Sequence, residues 1–129
     1  MDTEDTLSAV PLLPGEPALQ LYAVGRGDRN EILAAIESLK RTKASEAADL
    51  QQRFLVIAVN YPQVPSSYLK PMAGYPDIWE IRFRDHRFFG FMIEGRRLYL
   101  CRYDYKNQRK ADQEKLRSTQ RLLKEWREP

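Results

Sequence analysis

Apolar and polar residues alternate with period two from Trp79 to Arg84, where Trp79, Ile81 and Phe83 interleave with Glu80, Arg82 and Arg84. The pattern predicts a strand with an apolar core face and a charged ladder on the other. Arg84-Asp85-His86 makes a tight reversal, with His86 at the hairpin tip as a solvated turn residue. Arg87 to Ile93 is a second, nearly all-apolar strand. Gly90 inside it signals a bend, a bulge or a close approach to the backbone. Glu94-Gly95 is a hairpin turn signal, and Arg97 to Tyr103 is a third strand. Strict alternation there puts Leu98, Leu100 and Arg102 on one face and Tyr99, Cys101 and Tyr103 on the other.

Upstream the period changes. Leu19 to Val24 is a short apolar run ending at Gly25, which suits a strand. Asp28 is a candidate helix cap with Glu31 three residues on, and Ile32, Ile36 and Leu39 continue as one helical stripe through about Lys40. Ala47, Leu50, Phe54, Ile57 and Tyr61 repeat at three and four, predicting a second helix from about Ser45 until Pro62 stops it. Phe54 to Val59 also fits a buried strand, but the unbroken helical period favours helix. The two helices form an αα-hairpin. Residues 62–77 hold four prolines and predict a connection with little regular structure. A last helix, capped by Asp112 and running to about Arg127, carries Leu116, Thr119, Leu123 and Trp126 as its stripe.

Composition narrows the class. With 129 residues, 43% of them hydrophobic, the chain has enough apolar side chain for one core and reads as one domain over 18–129. Residues 1–17 are acidic and proline-bearing and predict a mobile tail. No apolar run is long enough to span a bilayer, residues 1–17 lack the basic start of a secretory signal, and a single cysteine suits a reducing cytoplasm. One cysteine and one histidine exclude a Cys/His metal cluster, and no cofactor is expected. The formal charge is −4 over residues 1–17, +1 over 18–78 and +6 over 79–129. Such a field suits a polyanion, with nucleic acid ahead of membrane.

The usual enzyme motifs are absent: no P-loop, no G-x-G-x-x-G, no G-x-S-x-G. What remains is a set of cations. Arg82 and Arg87 flank the first hairpin. Arg102, Lys106, Arg109 and Lys110 lie at and beyond the last strand, interleaved with Tyr103 and Tyr105. Cations alone can promote RNA cleavage, because the 2′-hydroxyl is an internal nucleophile and needs orientation and charge neutralisation. Arginine grips phosphate with a bidentate fork, a lysine of lowered pKa can act as base, and tyrosines stack on splayed bases. A phosphate-binding face without chemistry fits the same residues.

Three short motifs resemble the RelE/ParE toxin superfamily, in its HigB-type, phage-derived branch. Ile78-Trp79-Glu80-Ile81-Arg82-Phe83 is similar to the family's hydrophobic-x-E-L-R strand, and Arg87 stands at its next-strand arginine. Tyr105 to Lys110 resembles the F-x-K-K/N-x-x-K-T-P segment, although Ala111-Asp112 replaces Thr-Pro. The resemblance implies an α+β fold of order β-α-α-β-β-β-α, a small, mainly antiparallel twisted sheet packed against an N-terminal helical hairpin and a C-terminal helix. It also implies a toxin of a type II toxin–antitoxin system: a ribosome-dependent mRNA endonuclease. The implied catalytic residues are Arg82, Arg87, Lys106 and Lys110; Arg84, Arg102, Tyr103, Tyr105 and Arg109 would add RNA contacts. The implied partners are mRNA on the ribosome, a HigA-like helix-turn-helix antitoxin and, where one takes part, a chaperone. No membrane is implied. ParE-like relatives instead poison DNA gyrase, and a phage-encoded protein binding nucleic acid or a host factor also remains open.

Overall fold

A computed structural model describes residues 6–105 and 113–128. Nine elements follow one another: β1 (Leu7–Pro11), β2 (Gln20–Arg26), α1 (Glu31–Thr42), α2 (Ala44–Asn60), β3 (Leu69–Pro71), β4 (Ile78–Phe83), β5 (His86–Ile93), β6 (Arg97–Tyr105) and α3 (Gln113–Arg127). The strands make one six-stranded sheet in the order β1-β2-β6-β5-β4-β3. Only β2 and β6 run parallel; every other neighbouring pair is antiparallel.

The RelE-like order expected from the motifs is corrected: the chain runs β-β-α-α-β-β-β-β-α. Two strands account for the difference. Leu7–Pro11, inside the expected mobile tail, pairs with β2 from Leu7↔Arg26 to Pro11↔Tyr22. Leu69–Pro71, inside the expected irregular connection, pairs with β4. Both sit at sheet edges, where proline is tolerated because one side of the strand needs no ladder bond.

Helices cover both faces of the sheet. The α1–α2 hairpin packs Ile32, Leu39, Leu50, Phe54 and Ile57 onto Leu21, Ala23, Ile81, Phe88, Leu98 and Leu100. On the other face α3 packs Leu116, Leu122 and Leu123 onto Val24, Ile78, Phe89, Phe91, Tyr99 and Cys101. Trp126 closes that layer, its ring 4.8 Å from Tyr99, which stacks in turn on Tyr22. Residues 54–59 belong to α2, so the helical period outweighs the β-branched composition. The expected cap of α1 moves from Asp28 to Asn30. The Asn30 side chain accepts from the Leu33 amide at 3.0 Å and donates to the Ala23 carbonyl, joining helix start to β2. Asp112, the expected cap of α3, lies outside the described residues.

Two turns set the strand geometry. Glu94 and Gly95 both have positive φ, 56° and 67°, as a tight two-residue hairpin turn requires. At Gly90 the ladder between β5 and β6 slips: Phe89 pairs with Arg102 but Gly90 pairs with Leu100. Cys101 is the extra residue of a bulge. A Cβ on Gly90 would stand 2.3 Å from the Tyr99 carbonyl oxygen, so only glycine fits the close approach. The bulge inverts the expected facing of the end of β6. Tyr103 joins the α1–α2 face with Phe88, whereas Arg102 reaches α3 through Ser118.

Candidate functional site

Of the expected site residues, Arg82, Arg84, Arg87, Tyr103 and Tyr105 gather at the end of the sheet where β4 turns into β5 and β6 finishes, but they divide between its two faces. In the ladder Arg82 lies across from Arg87 and Arg87 across from Asp104. This row faces the α3 side. Glu80 shares it, so the expected charged ladder is interior at Glu80, half-buried at Arg82 and exposed at Arg84. The side chains of Glu80 and Arg87 are 1% and 2% exposed and form an ion pair. Arg82 is half-buried, with Nη2 3.7 Å from Glu80 Oε1, and neither atom forms a hydrogen bond with a described residue. Arg87 is thus committed to a buried carboxylate, and Arg82, its neighbour across the ladder, is the more exposed of the two cations.

The opposite face carries the chemistry that short-range patterns did not reveal. His86 lies across from Phe83 and Tyr105, and its ring sits among Phe83, Phe88, Tyr103 and Tyr105 with 4% of the residue exposed. The expectation of a solvated turn residue is corrected: His86 is the first residue of β5 and its side chain joins the aromatic layer. Both ring nitrogens are engaged. Nε2 lies 3.4 Å from the Glu46 carboxylate of α2, and Nδ1 lies 2.7 Å from the Tyr103 hydroxyl. A carboxylate only accepts, so the network assigns the neutral ring's proton to Nε2. The Tyr103 hydroxyl then donates to Nδ1. Carboxylate, imidazole and phenol form a continuous chain from α2 to β6.

Electrostatics sets the state of each end. Arg84, at the hairpin tip with φ of 55°, donates from Nη1 to Glu46 at 3.0 Å and from Nη2 to Asp49 at 2.8 Å. The Arg84 hydrogen bond, aided by His86 and Lys43 and opposed by desolvation, holds the Glu46 carboxyl below its usual range. Burial, reinforced by the charges of Tyr105, Glu46 and Asp104, pushes the Tyr103 phenol up to about 12. Tyr103 therefore keeps its proton at neutral pH and is a donor, not a phenolate. Arg53 of α2 secures the hairpin from below: its guanidinium lies 3.5 Å from the Tyr68 ring centre and donates to the Arg82 carbonyl at 2.9 Å.

At the rim, Arg84 and Tyr105 face solvent with about half their surface exposed. The segment that follows Tyr105 contains Lys106, Arg109 and Lys110, which lie outside the described residues. Arg102 is elsewhere. It donates to Ser118 at 2.6 Å and to the Cys101 carbonyl, on the floor of a cleft of about 1080 Å³ between the end of β2, α1 and α3. That cleft opens because β2 and β6 pair only as far as Ala23↔Leu100. Its charges are largely countered, with Arg26 bound to Glu125 and Lys115 to Glu31. The cations beside His86 are countered in the same way, Arg84 by Glu46 and Asp49 and Arg87 by Glu80.

Sequence reasoning missed His86 and Glu46. For His86 a signal existed: it lies two positions before Phe88 in the same strand, hence on the same apolar face. For Glu46 there was none, because only the tertiary docking of α2 brings it to the hairpin. Among the described residues no group of three His, Cys, Asp or Glu side chains could hold a metal ion, and no helix is long and apolar enough to cross a membrane. No protein-family model matches the chain, and no curated protein matches it.

Proposed function

We propose that the chain is an endoribonuclease toxin that cuts translated mRNA, using the RNA 2′-hydroxyl as nucleophile, and that a helix-turn-helix antitoxin of the HigA kind neutralises it. The observation that carries this reading is the Glu46–His86–Tyr103 chain, ending beside exposed Arg84 and Tyr105. Support comes from three further features: the motifs between residues 78 and 110, the concentration of positive charge there, and the exposed ring of Tyr105.

In this mechanism the 2′-oxygen attacks phosphorus while the bond to the 5′-oxygen breaks, leaving a 2′,3′-cyclic phosphate and a 5′-hydroxyl. Tyr103 gives its proton to the departing 5′-oxygen, and the phenolate regains a proton from solvent water, which restores its hydrogen bond to His86 Nδ1. Glu46 fixes the imidazole tautomer that leaves Nδ1 as the acceptor facing the Tyr103 hydroxyl. Tyr105 stacks on a base next to the cut, and Arg84 and Arg82 supply cationic contacts to flanking phosphates. Lys106, by the motif resemblance, takes the 2′-proton.

The test is primer extension on cellular mRNA after brief induction, with growth followed in parallel. Wild type should arrest growth and leave discrete cuts in translated messages. Tyr103→Phe and His86→Gln should each lower cleavage by about 10²–10⁴-fold, the usual weight of one positioned acid or base. Intact message accompanied by DNA breaks would replace this reading with gyrase poisoning. Undiminished cutting by Tyr103→Phe would remove the proton chain from the mechanism.

A further inference from the structure

The outward side of α2 is unlike the rest of the surface. Charged residues make up 30% of the chain, and the solvent sides of α1 and α3 carry many of them. On α2, where Asp49 is the charged residue among the exposed positions, six others, Ala44, Ala48, Gln51, Gln52, Leu55 and Val59, carry none. At 3.6 residues per turn these six fall within an arc of roughly 100° and run about 22 Å along the helix. Leu55 and Val59 are 42% and 59% exposed and are two of the few large hydrophobic side chains left open to solvent. The charges of α2, Glu46, Asp49 and Arg53, all point aside to the β4–β5 hairpin, where each has a partner.

The stripe also has an internal symmetry. Its small residues occupy the first half and its large ones the second, at matched distances from the midpoint between Gln51 and Gln52. Two antiparallel copies of α2 related by a two-fold axis would therefore set Ala44 against Val59, Ala48 against Leu55, and Gln51 against Gln52. Each large side chain meets a small one, and the amides meet on the axis, where both can donate and accept. No ionised group lies within the arc of either copy, so the contact carries no charge-desolvation cost from these six residues. This self-complementarity is what an isologous contact demands of a single surface.

We propose that the outer face of α2 is a docking surface for a second copy of this chain, paired antiparallel through Ala48, Gln51, Gln52 and Leu55. The inference is independent of the ribonuclease reading. A single helix pair is smaller than the roughly 800 Å² per partner of a standard interface, so the dimer should dissociate on dilution.

Sedimentation velocity across about 2–200 µM protein, a range that brackets micromolar association, tests it. The apparent mass of wild type should rise from 15.1 kDa towards twice that value. Ala48→Glu and Leu55→Lys, at exposed positions that leave the core intact, should each hold the chain at the monomer mass throughout. Positions 48 and 55 lie two turns apart on one helix, too far to pair within it, but they oppose each other across the two-fold. The double variant A48E/L55K should therefore regain the wild-type mass curve. Circular dichroism with unchanged melting temperatures would show that the single variants remain folded. A wild type that stays monomeric to the highest concentration overturns the proposal, leaving the face to a different partner. A double variant as monomeric as the singles overturns the antiparallel register.

Discussion

Removing the Arg87 guanidinium should unfold a large part of this protein's stability, and the structure gives the size. Arg87 and Glu80 are paired in the interior, 2% and 1% exposed. Deleting one member of a buried pair leaves an uncompensated charge, which costs about 3–5 kcal/mol. Arg82 stands 3.7 Å from the other Glu80 oxygen and offsets part of that loss, so the lower end, about 3 kcal/mol, is expected for Arg87→Ala. For a domain of this length that corresponds to about 10–15 °C in melting temperature. Urea unfolding followed by circular dichroism would measure it, with an unchanged slope showing that the same surface is exposed. Replacing both partners by apolar residues, Glu80→Leu with Arg87→Met, should recover most of the loss, because the desolvation penalty disappears with the charges. The coupling between the two sites should reach about 2 kcal/mol. A cost below about 1 kcal/mol for Arg87→Ala, with no recovery in the double variant, would refute the buried-pair reasoning. The same double variant bears on the role of Arg87. On the proposed endoribonuclease reading, a double variant that folds and retains cutting would assign Arg87 to the scaffold.

Three further outcomes follow from the geometry. Gly90→Ala would drive a methyl group into the Tyr99 carbonyl and should cost about 2–3 kcal/mol in urea unfolding, whereas Gly74→Ala, with open space around it but positive φ, should cost about 1 kcal/mol. Glu46 is held ionised in the folded state, so its stabilising effect is complete above the ordinary carboxyl value of 4.5 and is lost as pH falls through its lower folded value. The melting-temperature gap between wild type and Glu46→Gln should close accordingly on acidification. Burial pushes the Cys101 thiol up to about 12, so a thiol reagent at pH 8 should label it only after denaturant is added.

The period of apolar residues revealed β2, β4, β5, β6 and all three helices, because each presents a continuous face to the sheet or core. It did not reveal β1 or β3, whose strand character comes from partners found only in the folded chain. Leu7–Pro11 reads as tail until β2 supplies the ladder. The C-terminal helix was expected on the sheet, but not on the face opposite the helical hairpin. A pattern of alternating apolar and charged residues in β4 suggests one wet face, but α3 covers that face and turns Glu80 and Arg87 into an interior pair. The bulge at Cys101 was flagged only through Gly90, and its consequence, the reversal of Arg102 and Tyr103, required the register. His86 was misplaced because a turn signal at Arg84-Asp85 outweighed the apolar face on which it lies. Lys106 and Lys110 were the most conspicuous cations in the chain, and they fall outside the described residues.

The single parallel pairing in the sheet has a bearing on how the chain acquires its structure. Seventy-seven positions separate Gln20 from Arg97, its partner across β2 and β6. The β4–β5–β6 meander, by contrast, is closed by turns of two or three residues. Closing a long loop costs entropy before any contact offsets it, so the meander should form early and the β1–β2–α1–α2 half should dock onto β6 last. During synthesis the N-terminal half must wait, with the apolar sides of β2 and α1 uncovered, until β6 has emerged. A chaperone binding to such a chain would meet residues 19–60 first, and release would be timed by the arrival of residue 105.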